Sequence, residues 1–378
     1  MKYIRLDQLA RTTSGGTPSR GNRAYYGGAI PWLKSGELTD GNVSSAEESI
    51  TQLGLESSSS KLLPAGTLLI AMYGATVGKL GILNFPAATN QAICAITPND
   101  QLERDYLFYW LLSIRNQLIK TSFGGAQPNI SQTVIQELMV PWVPAAKQIS
   151  ISTQLRKQLA EVETARIALK IQREELTKLA NAIIANSISK RSVKSHLLGT
   201  VLEEIKQGIG ENWSDFPTLG ATRNGLAPAK EQPGKLAHKY KPAFPGTVFY
   251  NPMRILIGSI AFVDEEDTPG ITSPDYVVLK GKPGKVDSRW FYYWLRSPLG
   301  VKCINSLARG AVRERMLFNR LAEGEIDLPD YTIQEEASLA LSALNPLRER
   351  VEKNLQDIDL LPQKILAQAF EPQVNDHA

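Results

Sequence analysis

At 378 residues, with 43% hydrophobic and 21% charged residues, the chain has the composition of a globular protein large enough for two or three domains. A formal net charge of +4 permits a polyanionic partner but excludes a histone-like or polybasic protein. Cys94 and Cys303, each set among apolar residues, read as small buried hydrophobes in a reducing compartment, which excludes a disulfide framework. The first residues lack a signal-peptide core, and no apolar run nears the roughly 18–20 residues of a bilayer span, so a cytoplasmic protein is expected.

In chain order, residues 1–145 form the first expected domain. Short apolar runs at 68–72 and 92–96 predict buried strands, and 105–120 predicts a helix from its three- and four-residue aromatic spacing. Residues 30–45 and 121–133 read as polar loops, where recognition residues concentrate. Residues 146–197 form the first spacer, a helix from about 149 to 189. Its seam is Leu155, Val162, Leu169, Leu176 and Ile183 at a strict spacing of seven, flanked by Leu159, Ala165 and Leu179. About 40 helical residues give a rod of roughly 60 Å. Residues 145–196 carry ten Lys/Arg against four acids, consistent with either a solvated helix face or a phosphate-facing one. A basic hinge follows at 191–194.

Residues 198–330 form the second expected domain, with strands around 246–262 and 276–280 and an aromatic helix at 288–299. Residues 331–370 form the second spacer, with Leu344, Val351, Ile358 and Ile365 every seven, assisted by Leu347 and Leu361; 371–378 is a tail. Pro346 and Pro362 each remove a helix N–H and should kink, shorten or end that rod. The fold class is therefore α+β: two pseudo-repeated domains separated by an antiparallel coiled coil of two long helices.

A duplication underlies this plan. Gly66-Thr67-Leu68-Leu69-Ile70 recurs as Gly246-Thr247-Val248-Phe249-Tyr250 at an offset of 180, and the aromatic run at Tyr106 recurs at Trp290 at 184. Gly125-Ala126 matches Gly310-Ala311 at 185, Val140-Pro141 matches Leu328-Pro329 at 188, and the heptads align at 189. The period far exceeds the 20–50 residues of a solenoid, so each copy is a domain plus a helix.

Catalytic signatures fail. Gly74-Ala75-Thr76-Val77-Gly78-Lys79-Leu80 has one residue too few between its glycines for a phosphate loop, and Leu80 stands where a magnesium-binding hydroxyl belongs. A strand-ending turn presenting Tyr73 and Lys79 is expected instead. Asn251-Pro252-Met253-Arg254 lacks the second proline and the aromatic of an adenine-gripping methyltransferase loop. Pro274-Asp275 and Pro329-Asp330 lack a following Glu-x-Lys, and three scattered histidines lack metal-ligand spacing. No catalytic residue, metal or cofactor is expected in this chain.

Binding remains. The loops hold side chains of the kinds that read base edges and phosphates. In the first half these are Lys34, Ser35, Glu37, Tyr73, Thr76, Lys79, Asn90, Gln91, Gln127 and Asn129; in the second, Arg223, Asn224, Tyr250, Arg254, Arg309, Arg313, Arg315 and Arg320. Taken singly, each also fits a solvated loop. The aromatic runs fit core better than base-stacking platforms.

Ile30-Pro31-Trp32-Leu33-Lys34-Ser35-Gly36-Glu37-Leu38, Thr89-Asn90-Gln91-Ala92, Gly125-Ala126-Gln127-Pro128-Asn129-Ile130, and Val140-Pro141 ahead of a heptad helix together resemble the specificity subunit of type I restriction–modification systems. The second copy diverges: Ala308-Arg309-Gly310-Ala311-Val312-Arg313 replaces the Gly-Gly-Ala-Gln-Pro-Asn loop, and only Phe216-Pro217-Thr218-Leu219-Gly220 faintly matches the Trp-Leu-Lys-Ser-Gly-Glu segment. The resemblance implies two target-recognition domains reading a bipartite, asymmetric site in double-stranded DNA. It implies spacer helices that act as a ruler and dock two copies of an adenine-methylating subunit, joined by ATP-dependent translocating endonuclease subunits. S-adenosylmethionine, ATP and magnesium would belong to those partners. Two other readings stay open: a self-contained DNA methyltransferase or nuclease with unrecognised motifs, and a coiled-coil scaffold without a DNA role.

Overall fold

The computed structural model describes residues 2–121, 129–189, 193–231, 233–234, 236–308 and 315–371. The chain forms two compact units: residues up to 167 together with those from 356 on, and residues 168–355.

In the first unit a five-stranded sheet has the order Ala10–Ser14, Ile93–Pro98, Leu68–Ala71, Leu80–Leu83, Gly41–Val43. Alternate side chains of a strand face opposite ways. Leu68 and Ile70 enter a core with Tyr106, Leu107 and Trp110, while Leu69 and Ala71 enter another with Leu33, Leu38 and Ile93. Burial on both faces is why these strands read as unbroken apolar runs. The helix Arg104–Thr121 packs its aromatic stripe on the first core, so Tyr106, Tyr109 and Trp110 are structural as expected.

One expectation is corrected here. Residues 30–45 are not a loop: Tyr26–Leu33 is the middle strand of a small sheet, between Glu48–Ile50 and Ala88–Thr89. A register shift between Tyr26 and Ile30 breaks the alternation that would have revealed it. A 3₁₀ turn at Ser35–Glu37 and the strand Gly41–Val43 follow. Residues 132 and 133, the end of the other segment read as loop, begin a short helix, Gln132–Gln136.

The second unit repeats the arrangement with a four-stranded sheet in the order Leu202–Glu204, Val277–Gly281, Val248–Tyr250, Ile260–Phe262. The aromatic helix ends at Arg296, earlier than its sequence pattern suggested, and a new helix starts at Pro298. Trp290, Phe291 and Trp294 are buried.

The root of each domain is built the same way. Lys2–Arg5 pairs antiparallel with Met139–Trp142, and Lys194–Leu197, which starts at the last residue of the expected hinge, pairs with Glu325–Leu328. The Leu6 amide donates to the Leu138 carbonyl at 2.8 Å, and that of Leu198 to Gly324 at 2.8 Å. Just beyond lies a buried glutamine. Gln148 Oε1 accepts from the Glu103 amide at 2.7 Å, while its Nε2 donates to the carbonyls of Gln101 and Val143. Gln334 does the same to the Asp287 amide at 3.0 Å and to the carbonyls of Lys285 and Pro329.

These equivalences revise the repeat. The offset is 192 at Leu6/Leu198, 180 at Gly66/Gly246, 186 at Gln148/Gln334 and 189 in the heptads. The second domain has therefore lost a net twelve residues between its first strand and Gly246. The offset also steps by three inside the helical region, where residues 343 and 344 separate Tyr331–Ser342 from Asn345–Phe370.

The first long helix runs over Ala145–Ser189, 45 residues, and the second over 26. Pro346 lies in the first turn of the second helix, where its missing N–H breaks no helical bond. Pro362 lies inside, and the helix continues past it to Phe370. Leu155, Val162, Leu344, Val351 and Ile358 are buried, and Leu169, Leu176, Ile183 and Ile365 are half-buried. Ala165, Leu179, Leu347 and Leu361 are exposed, contrary to their expected supporting role; Leu355 and Ala180 are buried in the second line of the heptad pattern. Pairing within each unit is antiparallel. In the first unit, Arg166 meets Asp359 at 2.9 Å, and a groove further down is lined by Leu155, Ile365 and Ala369. In the second, Arg173 meets Glu352 at 3.7 Å, and Arg348 Nη2 donates to the Leu176 carbonyl at 3.5 Å.

Replacing Gln148 by Leu would leave two carbonyls and one amide without their partner in a buried site, at about 1–3 kcal/mol per orphaned group. We expect a lower urea midpoint and a selective loss of hydrogen-exchange protection at the Glu103 amide. Gln334→Leu should do the same at Asp287. Unchanged protection at those amides would refute the clamp.

Candidate DNA interface

The candidate residues of the first domain fall into two groups. Tyr73, Asn90, Gln91 and Asn129 come together. Tyr73 and Asn129 form an isolated backbone bridge, the Gln91 side chain hydrogen-bonds to the Tyr73 phenol, and the Thr17 hydroxyl donates to Gln91 Oε1. The Asn90 amide donates to the Leu33 carbonyl at 2.8 Å, drawing the Lys34 segment to the same edge. Asn90 Oδ1 is enclosed without a hydrogen-bond partner among the described residues. Partial burial pushes the Tyr73 phenol above its usual titration range, so it is a neutral donor and acceptor.

Thr76 and Lys79 lie instead at the tip of the hairpin joining Leu68–Ala71 to Leu80–Leu83. The turn is therefore the strand-ending one expected, and an antiparallel strand follows where a phosphate loop would lead into a helix. Arg115 latches it, donating from Nε to the Gly78 carbonyl at 2.9 Å and pairing with Asp40 at 2.5 Å.

Other candidates are committed to structure. Glu37 folds back, accepting the Lys34 amide at 2.7 Å and the Glu47 amide at 2.8 Å. Lys34 Nζ sits 3.0 Å from Glu47 and 3.1 Å from Glu48, and those carboxylates raise its pKa. Ser35 begins the 3₁₀ turn between them and is half-buried.

Arg20 and Thr17 were not foreseen. Arg20 pairs with Glu48 at 2.6 Å, and its guanidinium lies 4.6 Å from the Tyr26 ring centre and 5.0 Å from that of Trp32. A sequence signal was present in Gly15-Gly16, just ahead of them. A Cβ on Gly15 would sit 2.2 Å from the Thr89 carbonyl oxygen, and one on Gly16 would sit 2.4 Å from the Ser60 amide nitrogen. Only glycine lets this strand end pass that close to its neighbours.

In the second domain, Arg223 and Asn224 form the exposed tip of the hairpin Leu219–Thr222/Gly225–Pro228. Arg254 is exposed on the turn between Val248–Tyr250 and Ile260–Phe262. Arg315 pairs with Asp275 at 3.2 Å on the surface. Two assignments are corrected. Tyr250 is 0% exposed, with its hydroxyl enclosed in the core, so it cannot meet a duplex from this position. Arg320 donates from Nε and Nη2 to the Leu307 carbonyl at 2.8 and 2.5 Å, closing the end of the helix Pro298–Leu307. Gln127, Arg309 and Arg313 lie outside the described residues, as do the Gly125-Ala126 and Gly310-Ala311 segments.

The basic excess of the first long helix is largely neutralised locally. Arg156 pairs with Asp105, Lys157 with Glu161, Arg166 with Glu163 and Asp359, Arg173 with Glu352, and Lys178 with Glu175. This favours a salt-bridged, solvated face over a phosphate-facing one. Among the described residues no His, Cys, Asp or Glu cluster could hold a metal, and no helix is long and apolar enough to cross a membrane. Cys94 is buried and its thiol is pushed up to about 12 by that burial; Cys303 is only partly covered.

The sequence of residues 1–173, which includes this cluster, matches the family described as type I restriction modification DNA specificity domain. The first 173 residues are thus similar to that domain. The chain is 28% identical over 156 residues to the specificity subunit of the type I restriction enzyme MjaIX of Methanocaldococcus jannaschii, covering 40% of this chain and 36% of that protein. It is 25% identical over 147 residues to the EcoR124I/EcoR124II specificity subunit of Escherichia coli, covering 37% and 36%. The chain thus spans little more than a third of these relatives' length in sequence. Fold similarity extends further. A chain from a structure describing assembly and conformational transition of the type I R-M system aligns with TM-score 0.69 at 16% identity, covering 98% of this chain and 97% of that one. The HsdS subunit of Thermoanaerobacter tengcongensis aligns with TM-score 0.53 at 16% identity, covering 98% and 96%. These likenesses carry the α+β, long-helix fold to the second half, where sequence similarity fades.

The Arg20–Glu48–Lys34 network yields a pH test. The Arg20 hydrogen bond, with help from Lys34, holds the Glu48 carboxyl below the usual range despite partial burial. A carboxylate with a lowered folded-state pKa stabilises above its unfolded value near 4.3 and loses that contribution as pH falls through the folded value. In Arg20→Ala, carboxyl NMR should show Glu48 titrating at higher pH, closer to 4.3. An unmoved midpoint would show that Arg20 does not hold Glu48.

Proposed function

We propose that this chain is the sequence-specific DNA-binding specificity subunit of a type I restriction–modification complex, itself non-catalytic. Residues 1–145 and 198–330 are target-recognition domains, and 146–197 and 331–370 are spacers. The observation that carries this reading is a specificity domain in the first half whose root, clamp and hairpin are rebuilt in the second with different loop residues. Two related but unlike readers fit a bipartite, asymmetric site in double-stranded DNA. The curated relatives are themselves named as type I specificity subunits.

Recruitment follows from the repeat. Two equivalent surfaces in one chain suit two copies of one adenine-methylating subunit, with ATP-dependent translocating endonuclease subunits joining them. S-adenosylmethionine, ATP and magnesium act in those partners. At 1.5 Å per residue the 45-residue helix is roughly 67 Å long. That length supports a ruler for half-sites about one helical turn of DNA apart, ~34–36 Å.

Sequencing of methylated genomic DNA from cells with and without the gene tests the proposal. A gapped adenine-methylation motif should vanish with the gene; persistence of every such motif refutes it. Methylation or cleavage by the purified chain alone would favour the enzyme reading. Inserting one heptad between Leu155 and Ile183, matched in the partner helix, should widen the unread gap while both half-sites keep their bases. A changed base preference would contradict the ruler.

A further inference from the structure

The two hairpin tips are the same device with opposite chemistry. Residues 73–79 and 253–259 align at the offset of 180 fixed by Gly66 and Gly246, which both have left-handed φ, of 86° and 81°. The Ala71 amide donates to the Lys79 carbonyl at 2.8 Å, and its counterpart Asn251 donates to Ser259 at 3.2 Å. Each tip contains a left-handed glycine, Gly78 or Gly258, whose carbonyl accepts from an arginine of the aromatic helix. In the second tip that arginine is Arg296. Its Nη1 reaches the carbonyls of Gly258 at 3.2 Å and Ile260 at 2.9 Å, and its Nη2 donates to the Arg223 carbonyl. One guanidinium thereby locks the tip against the neighbouring hairpin, and Arg223 Nε donates to the Ile257 carbonyl at 3.1 Å from the other side.

The side chains on this shared frame differ. The first hairpin carries Tyr73 at the base of its turn and Thr76 and Lys79 at its tip, all three half-buried. At the matching positions the second carries Met253, Leu256 and Ser259, with Ile257 where the first has Val77. Met253, Leu256 and Ile257 are 55%, 45% and 52% exposed. Three large apolar side chains held out on a braced turn leave water-facing surface that folding does not require, which marks a contact surface. Arg223 and Arg254 are exposed beside them and form no ion pair with the described residues, so the patch is apolar with a cationic rim. That combination suits DNA: apolar atoms distinguish thymine through its 5-methyl group in the major groove, and guanidinium groups hold the flanking phosphates.

We infer that the hairpin tips make the two half-sites differ, and that Met253, Leu256 and Ile257 read thymine methyl groups while Arg223 and Arg254 grip phosphate. This rests on the proposed DNA-reading function and names the chemistry of one reader. It is tested on the chain assembled with its methylating subunits and a duplex bearing the mapped motif. Thymines in each half are replaced singly by uracil, which removes only the methyl, and affinity is measured by fluorescence anisotropy. In one half, some replacements should weaken binding about three- to fivefold each. In a Met253→Ser/Ile257→Ser variant, whose altered positions are exposed, that sensitivity should disappear while discrimination in the other half persists. Site-specific binding indifferent to uracil, sensitivity retained by the variant, or a motif with no thymine in either half would overturn the inference and leave the specificity reading standing. Equal affinity for motif and random duplex would overturn both.

Discussion

Each half of the molecule depends on one buried side-chain amide. Gln148 and Gln334 each satisfy one amide and two carbonyls at the junction of the aromatic helix, the final strand and the helix that follows it. The amide side chain is itself buried, and it satisfies backbone groups that are wholly or partly shielded from water. An amide suits the role because it donates and accepts at once, and carries no charge whose burial would have to be offset. The clamp fixes where the aromatic helix starts. That helix in turn carries Arg115 or Arg296, which latches the hairpin tip. The hairpin tips are thus tied, through one helix, to the clamp at the root of each domain.

Much of this was legible in the sequence because burial writes periodicity. Strands covered on both faces read as unbroken apolar runs, the aromatic helices showed three- and four-residue spacing, and the heptads marked the long helices. The break between Ser342 and Asn345 was harder to read, because the first heptad residue, Leu344, lies inside it. The supporting line was also misread: Leu347 and Leu361 face outward, while Leu355 is buried. Hydrophobicity alone does not say which leucine of a turn faces the partner helix when the seam is only two positions wide.

The candidate surface was less legible, for a different reason. A polar residue in a loop either faces solvent or satisfies nearby backbone, and the one-letter code is the same for both. Glu37 and Lys34 proved to brace the 3₁₀ turn at Ser35–Glu37, Arg320 to close a helix, and Tyr250 to fill the core. Conversely, Met253 and Ile257, which a sequence reader assigns to the interior, stand in solvent. The small sheet went unseen because a register shift interrupts Tyr26–Leu33. Gly28 lies within that shift, where a Cβ would meet the Ile50 carbonyl oxygen at 2.5 Å.

The short ladders at the domain roots have a consequence for heredity. Lys2–Arg5 lies beside Met139–Trp142, and Lys194–Leu197 beside Glu325–Leu328, so the chain enters and leaves each domain at neighbouring points. Everything between is a cassette with adjacent ends. A recombination event that exchanges one cassette, with crossovers near its root strands, asks the recipient only to preserve the ladder and the glutamine. Under the proposed function, exchanging one cassette would change one half-site without solving the packing of the helices again.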